Sequence, residues 1–209
     1  MTGYSNWVST FGLVFAIIDP FGYVPIFLSM TSRDTETRRR EMLLKACITA
    51  CLVLIIFLFV GNKILGFFGI SLPALQISGG LILLAIGFEM VKVLPVGEKL
   101  SEVEEREGTS KEDISIIPLA IPMLSGPASI ATVVVLGTKA SSSIDYAVVV
   151  GSVVITLAFT YLILRSAQKV LQLVGQTGLN VATRVMGLLL CAMAIQFLID
   201  GYLVIRSGQ

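Results

Sequence analysis

The chain has 209 residues, of which 55% are hydrophobic and 14% charged, and its mean hydropathy is +0.90. Soluble globular domains are about one quarter charged, so these values exclude a water-soluble surface. The net charge of +1 gives no indication of a nucleic-acid partner. The chain also has no histidine, the commonest general base and the commonest ligand of transition metals. An integral membrane protein without a metal or cofactor is therefore expected.

Six apolar blocks are each about 20 residues long, which is the length of helix that crosses a bilayer core of about 30 Å. A polar segment, residues 94–115, separates the third block from the fourth and carries seven acidic side chains. We interpret this segment as a solvated linker, with a metal or regulatory site as the alternative. Transmembrane helices are predicted at residues 7–30, 42–61, 67–91, 116–137, 146–164 and 181–205.

Basic residues are distributed unequally between the two sides that these spans define. Twelve of the 15 Lys and Arg residues lie in or beside the connections between spans 1 and 2, 3 and 4, and 5 and 6. The other three, Lys63, Lys139 and Arg206, lie on the opposite side. Because short basic loops stay in the cytoplasm, both termini are predicted to face outward. No basic residue precedes the first block, so a cleaved signal peptide is not expected.

The two halves of the chain resemble each other at spans 1 and 4 and at spans 3 and 6. Pro20 and Pro25 have the same five-residue spacing as Pro122 and Pro127. Spans 3 and 6 align at a constant offset, which superposes Gly80 on Gly187, Ala85 on Ala192 and Glu89 on Gln196.

Each half has three spans, an odd number, so the second half must enter the membrane inverted relative to the first. Inverted repeats of this kind are typical of secondary transporters. The predicted fold is an all-α membrane protein with helices 1 and 4 broken at mid-membrane. Its predicted domains are a first three-helix repeat at 1–93, a polar cytoplasmic linker at 94–115 and a second, inverted three-helix repeat at 116–209.

The proline pairs are expected to break their helices, because proline removes a backbone hydrogen bond and clashes with the preceding turn. Such breaks are tolerated at membrane depth only inside protein or beside a cavity, and paired breaks indicate a transporter's binding site. Asp19-Pro20 and Ser125-Gly126-Pro127 each resemble a helix start with proline at the first helical position. The N–H groups at such a start can bind a carboxylate or another anion.

Asp19 lies about halfway along the first span, which would put its charge near the bilayer centre. Because a charge there is costly, we expect it to bind a substrate ammonium, a coupling proton or a cation. Capping of the following half-helix is the alternative, and both roles are compatible. The predicted substrate-binding residues are Asp19, Pro20, Phe21, Gly22, Ser125, Gly126, Pro127 and Ser129. Ser78, Gly79 and Thr132 are further candidates, for which helix packing is the alternative.

Three stretches of the chain together resemble the MarC family of multi-pass membrane proteins, over essentially the whole length. They are residues 19–27 (Asp-Pro-Phe-Gly-Tyr-Val-Pro-Ile-Phe), 76–80 (Gln-Ile-Ser-Gly-Gly) and 121–127 (Ile-Pro-Met-Leu-Ser-Gly-Pro). The resemblance implies a prokaryotic inner-membrane protein, related more distantly to the LysE-type exporters. It also implies a link to transport of small neutral amino acids, because one branch of the family has that association.

These observations favour a secondary transporter of small neutral amino acids, coupled to a proton or sodium gradient. A zwitterion needs an anion site and a cation site, and a half-helix start and Asp19 would supply them. No phosphate-binding loop of the Gly-x-x-x-x-Gly-Lys-Ser/Thr type is present, so ATP hydrolysis is not expected. The alternatives are a channel or exporter for another small solute, or a non-transporting scaffold. An enzyme is not expected, because no second carboxylate is positioned beside Asp19. The small-residue helix faces would also permit a homo-oligomer.

Overall fold

The computed structural model describes residues 3–32, 34–92 and 115–207, and every regular element within these ranges is a helix. The all-α prediction is therefore confirmed for this part of the chain. All of the predicted linker except Ser115 lies outside the described residues. The helices are α1 (Gly3–Ile18), α2 (Tyr23–Met30), α3 (Glu36–Phe67), α4 (Leu72–Lys92), α5 (Ser115–Leu124), α6 (Pro127–Lys139), α7 (Ser143–Arg165) and α8 (Ala167–Ser207).

Four of these helical segments are long and apolar enough to cross a membrane without interruption. They coincide with the predicted spans 2, 3, 5 and 6. The predicted spans 1 and 4 fall instead on pairs of shorter helices, α1 with α2 and α5 with α6. Both interruptions occur at the proline pairs, where breaks were predicted. The four uninterrupted segments are Glu36–Phe67, Pro73–Val91, Ser143–Arg165 and Ala167–Arg206.

Two long helices extend well beyond the predicted spans, because hydropathy detects only their apolar parts. α3 begins at Glu36 instead of residue 42, after Thr35, whose hydroxyl accepts a hydrogen bond from the Arg38 N–H at 3.4 Å. α8 begins at Ala167 instead of residue 181. It bends at Gly175, whose φ of +71° is a left-handed conformation that glycine adopts without a steric penalty.

The lipid-crossing helices are apolar on the outside as well as the inside. On α3, one face packs into the core and the opposite face is roughly half exposed and also apolar. A helix that is apolar all round is typical of a membrane span, since lipid can solvate the outer face. The buried residues include Ala46, Ala50, Leu54 and Leu58, and the exposed ones include Leu44, Ile48, Leu52 and Ile56.

The most extensive helix contact is the antiparallel seam between α4 and α8. A Cβ added at Gly87 would lie 3.0 Å from the Gly187 carbonyl oxygen, and one added at Gly80 would lie 3.0 Å from that of Ala194. Rising numbers on α4 therefore pair with falling numbers on α8. Small residues let the two backbones approach closely, which is the usual basis of helix association in membranes.

Most of the remaining contacts join the first four helices to the last four, and α7 also contacts its chain neighbours α6 and α8. They form a core cluster that contains Ile18, Leu54, Leu124 and Val153, all buried. The contacting pairs are α3 with α5, α6 and α7; α1 with α6, α7 and α8; α2 with α7 and α8; and α4 with α6.

Replacing Gly187 with alanine should loosen the α4–α8 seam. The new methyl group would lie 2.7 Å from the Met90 Cβ and 3.0 Å from the Gly87 carbonyl oxygen, so the helices must separate. Overpacking of this kind costs about 1–3 kcal/mol, and we expect a lower Tm in thermal unfolding of the detergent-purified protein.

Gly151→Ala is the matched control, because nothing lies within 4 Å of a Cβ at that helical position. Its Tm should be unchanged or higher, since alanine favours a helix over glycine by about 1 kcal/mol. Equal Tm values for the two variants would contradict the close packing at Gly187.

Candidate functional site

The first helix break is made by an aspartate in a left-handed conformation. α1 ends at Ile18, and Asp19 follows with φ +38° while its N–H still donates to the Phe15 carbonyl at 3.0 Å. Aspartate tolerates this region better than most residues. A turn over residues 20–22 then leads into α2 at Tyr23. The prediction that Pro20 is the first helical residue is therefore wrong, since the positive φ of Asp19 needs a turn before the helix can restart.

The Asp19 carboxylate is buried at this break, with 8% of the residue exposed. It accepts hydrogen bonds from the backbone N–H of Gly22 and from the hydroxyl of Thr183 on α8. Its Oδ1 atom has no partner among the described residues. A carboxylate oxygen buried in this way is costly unless a proton, a cation or a donor occupies it. Asp19 therefore both caps the turn and offers a free acceptor.

Gly22 leaves no room for a side chain beside that carboxylate. A Cβ at this position would lie 2.2 Å from the Asp19 Oδ2 and 3.4 Å from the Thr183 Oγ1. The neighbouring predicted residues differ in burial: Pro20 is buried, while Phe21 is half-buried and its ring packs against Phe15 at 6.3 Å between centroids. Glycine at position 22 therefore permits the capping contact.

The second break results from prolines that force the preceding residue into an extended conformation. Ile117 (φ −125°, ψ 120°) and Ile121 (φ −130°, ψ 121°) each precede a proline within α5. Gly126 is likewise extended, at φ −71° and ψ 174°, and Pro127 follows it as the first residue of α6. The predicted proline start is confirmed at Pro127, which is exposed.

The cap of α6 differs from the predicted one. The hydroxyl of Ser125 does not contact the first turn of α6; it donates to the Ala120 carbonyl oxygen at 2.8 Å. The N-cap residue is Gly126, which has no side chain, and within the described part of the chain no side-chain cap hydrogen bond forms at this helix start. Ser129 and Thr132 lie further along α6 and are buried, and the Thr132 Oγ1 has no partner among the described residues.

The structure brings the two breaks together. The Tyr23 hydroxyl, at the first residue of α2, donates a hydrogen bond to the Met123 carbonyl oxygen of α5 at 3.0 Å. The two residues are 100 apart in the chain. A backbone carbonyl beside the second break is thus satisfied inside the protein by a side chain from the first, as a low-dielectric environment requires.

The other predicted residues lie within helices and not in the turns between them. Pro25 is in the first turn of α2, where proline removes no intrahelical bond, and Pro122 lies within α5. Ser78 is exposed and donates to the Leu75 carbonyl of its own helix at 3.1 Å. Gly79 is buried, with Ala131 of α6 3.7 Å from a Cβ built on it, a contact that belongs to helix packing.

Several polar groups near the core were not predicted. Thr183 could not be identified, because a threonine in a predicted span is commonplace and its contact with Asp19 joins distant segments. Ser152, Thr156 and Thr160 on α7 do carry a signal: their four-residue spacing puts three buried hydroxyls on one helix face. No group of three or more possible metal ligands occurs in the described part of the chain.

Helices that are apolar on every side, with two breaks bonded inside the bundle, define a multi-pass helical membrane protein. Within this class, the chain belongs to the MarC family. The family model, described as MarC family integral membrane protein, matches residues 4–205.

Similar proteins occur in bacteria and archaea. The chain is 36% identical over 198 residues to the UPF0056 membrane protein MJ1677 of Methanocaldococcus jannaschii, which covers 93% of this chain and 95% of that protein. It is also 36% identical over 198 residues to the UPF0056 membrane protein YhcE of Escherichia coli, covering 93% and 91%. The UPF0056 membrane protein PH0760 of Pyrococcus horikoshii is 40% identical over 189 residues, covering 90% of each chain. No solved structure matches significantly.

Tyr23→Phe should weaken the connection between the two breaks. It removes the donor to the Met123 carbonyl, and a hydrogen bond of this kind contributes about 0.5–1.5 kcal/mol. We expect a lower Tm in detergent and faster proteolysis near the breaks. Tyr202→Phe is the control, because that side chain is 59% exposed and should leave both measurements unchanged. A Tyr23→Phe protein indistinguishable from this control would contradict a structural role for the bond.

Proposed function

We propose that this protein is a secondary transporter of small neutral amino acids such as glycine or alanine. It works by alternating access, coupled to a proton or sodium gradient. The observation that carries the proposal is the Tyr23–Met123 hydrogen bond, which joins two broken helices beside the buried, half-paired carboxylate of Asp19. Corresponding breaks that meet inside a helical membrane protein are characteristic of transporter binding sites.

The pattern of helix contacts supports an inverted repeat of α1–α4 and α5–α8. Exchanging the two sets converts the α1–α7 contact into α5–α3, the α2–α8 contact into α6–α4, and the α2–α7 contact into α6–α3, and all six contacts are present. Smaller contacts, such as α1–α8 and α6–α7, have no counterpart of similar extent among the described residues. The α4–α8 and α3–α7 contacts convert into themselves. The aligned glycines Gly80 and Gly187 lie on antiparallel helices, as inversion requires. Two such halves can rock against each other around a fixed site.

The chemistry of the breaks suits a zwitterion with a small side chain. The Asp19 Oδ1 can accept hydrogen bonds from an ammonium group. The first turn of α6 has N–H groups without a side-chain cap, which suit a carboxylate. Gly22 and Gly126 keep side chains away from both positions. Asp19 and Ser129 are both buried, as residues of a site inside the bundle would be.

Asp19 is also the group that we assign to the coupling of transport to the proton or sodium gradient. A buried carboxylate with one free oxygen can exchange a proton or bind a sodium ion as the site opens and closes. The Thr183 hydroxyl holds the carboxylate in position for either role. This carboxylate is therefore the first target for mutation.

The bacterial and archaeal relatives support a prokaryotic inner-membrane location, and the distribution of basic residues supports an orientation with both termini outside. In this orientation the basic ends of α3 and α7 face the cytoplasm. Accessibility of single cysteines to a membrane-impermeant thiol reagent would test the orientation independently of transport.

The decisive experiment is uptake of radiolabelled glycine and alanine by proteoliposomes, with a pH or sodium gradient imposed, for the wild type and Asp19→Asn. Asparagine keeps the size of the side chain and removes its charge. We expect saturable, gradient-dependent uptake that falls about tenfold or more in the variant, since losing a charge-assisted contact costs about 1.5–3 kcal/mol. Counterflow of unlabelled alanine should accelerate wild-type uptake, which a channel would not show.

Glu41→Gln is the matched control, because Glu41 is an exposed carboxylate in the second turn of α3. Its uptake should equal that of the wild type. Uptake that is unchanged in Asp19→Asn would show that Asp19 only caps the turn at the first break and takes no part in transport. No uptake of either amino acid by folded wild-type protein would overturn the substrate assignment, and flux without saturation or counterflow would indicate a channel.

A further inference from the structure

A basic cavity of about 370 Å³ lies at the end of the bundle where α2 and α7 end and α3 and α8 begin. Four basic side chains line it, Arg39, Arg40, Arg165 and Lys169, together with a single acidic one, Glu36. It is separate from the helix breaks, and nothing in the proposed amino-acid site uses it.

The charges in this cavity do not balance. Glu36 pairs with Arg40 on the same helix. Arg39 donates from Nε to the Thr31 carbonyl oxygen at 2.8 Å, an uncharged acceptor. Arg165 and Lys169 have no ion pair with any described residue, and the Arg165 guanidinium lies 5.9 Å from the ring centroid of Tyr161. Three positive charges therefore face one small cavity, which favours an anionic ligand.

The rest of the cavity wall is apolar and continues onto the outside of the bundle. Phe27 and Leu28 of α2 contribute to it, as does Leu162 of α7. Leu162 is 55% exposed, and Phe159, one turn earlier on the same helix, is 47% exposed. A free, fully hydrated ion gains nothing from such a wall. An amphiphile with an anionic head and a hydrocarbon chain uses both parts.

We propose that this cavity binds the headgroup phosphate of an anionic membrane lipid, with an acyl chain along the Leu162 face of α7. Basic pockets between transmembrane helices are an established way of recognising such headgroups. α2 begins at the Asp19 break and ends at the cavity, where it forms one wall. A lipid bound in the cavity therefore contacts a helix whose other end is at the first break. The lipid would thereby stabilise the position of α2, a helix of only eight residues.

The test is native mass spectrometry of the full-length protein purified from mixed phosphatidylglycerol and phosphatidylcholine. The wild type should retain at least one phosphatidylglycerol in preference to phosphatidylcholine. The double variant Arg165→Gln, Lys169→Gln should bind phosphatidylglycerol about tenfold more weakly or worse, since each basic residue at a membrane surface contributes appreciably to such binding. The charge-conserving variant Arg165→Lys, Lys169→Arg should retain binding, which separates charge recognition from misfolding.

Arg38→Gln, Arg184→Gln is the matched control, because it removes two charges from residues that do not line the cavity. It should bind phosphatidylglycerol like the wild type. An equal loss in this control would show general electrostatic attraction and overturn the proposal. Displacement of the lipid by millimolar inorganic phosphate would also overturn it and identify the cavity as a site for a free anion. Because lipid retention is measured without transport, the result does not depend on the amino-acid assignment.

Discussion

Lipid cannot form hydrogen bonds with a polypeptide backbone, and the arrangement of this bundle follows from meeting that requirement inside the protein. The four uninterrupted spans meet it within each helix. The two broken segments cannot, so side chains bond to the freed backbone groups. The Asp19 carboxylate, which also accepts from Thr183 of α8, accepts from the Gly22 N–H, and the Tyr23 hydroxyl donates to the Met123 carbonyl. Each break therefore depends on a helix that is distant from it in the chain. A change in the geometry of a break requires that helix to move.

α8 connects the most regular part of the fold to the least regular part. Thr183 contacts Asp19 at the first break, and Gly187, one helical turn further along, packs against Met90 of α4. The seam between α4 and α8 is close because glycines line it, whereas α2 has only eight residues and α5 contains two extended ones. The bundle thus combines a closely packed pair of helices, α4 and α8, with a candidate site built on segments that have few internal hydrogen bonds.

The sequence indicated the all-α class and the location of both breaks, because proline has the same local effect wherever it occurs. It failed where the outcome depends on one backbone angle: Asp19 adopts φ +38°, and the helix therefore restarts at Tyr23 instead of Pro20. It also failed at the ends of α3 and α8, where polar or charged helical turns flank the apolar ones and hydropathy gives no indication of a helix. The role of Thr183 required knowledge of which distant helices meet, and one sequence does not contain that information.

The α4–α8 seam has a consequence for biosynthesis. α4 is complete by residue 92, but its partner begins only at residue 167, after α5, α6 and α7 have been synthesised. Until then Gly80 and Gly87 form an unfilled groove in the membrane, and Asp19 lacks its Thr183 donor. The α4–α8 seam, and with it the support of Asp19, can therefore form only after α8 has been synthesised, so the first break stays incomplete while the intervening helices enter the membrane.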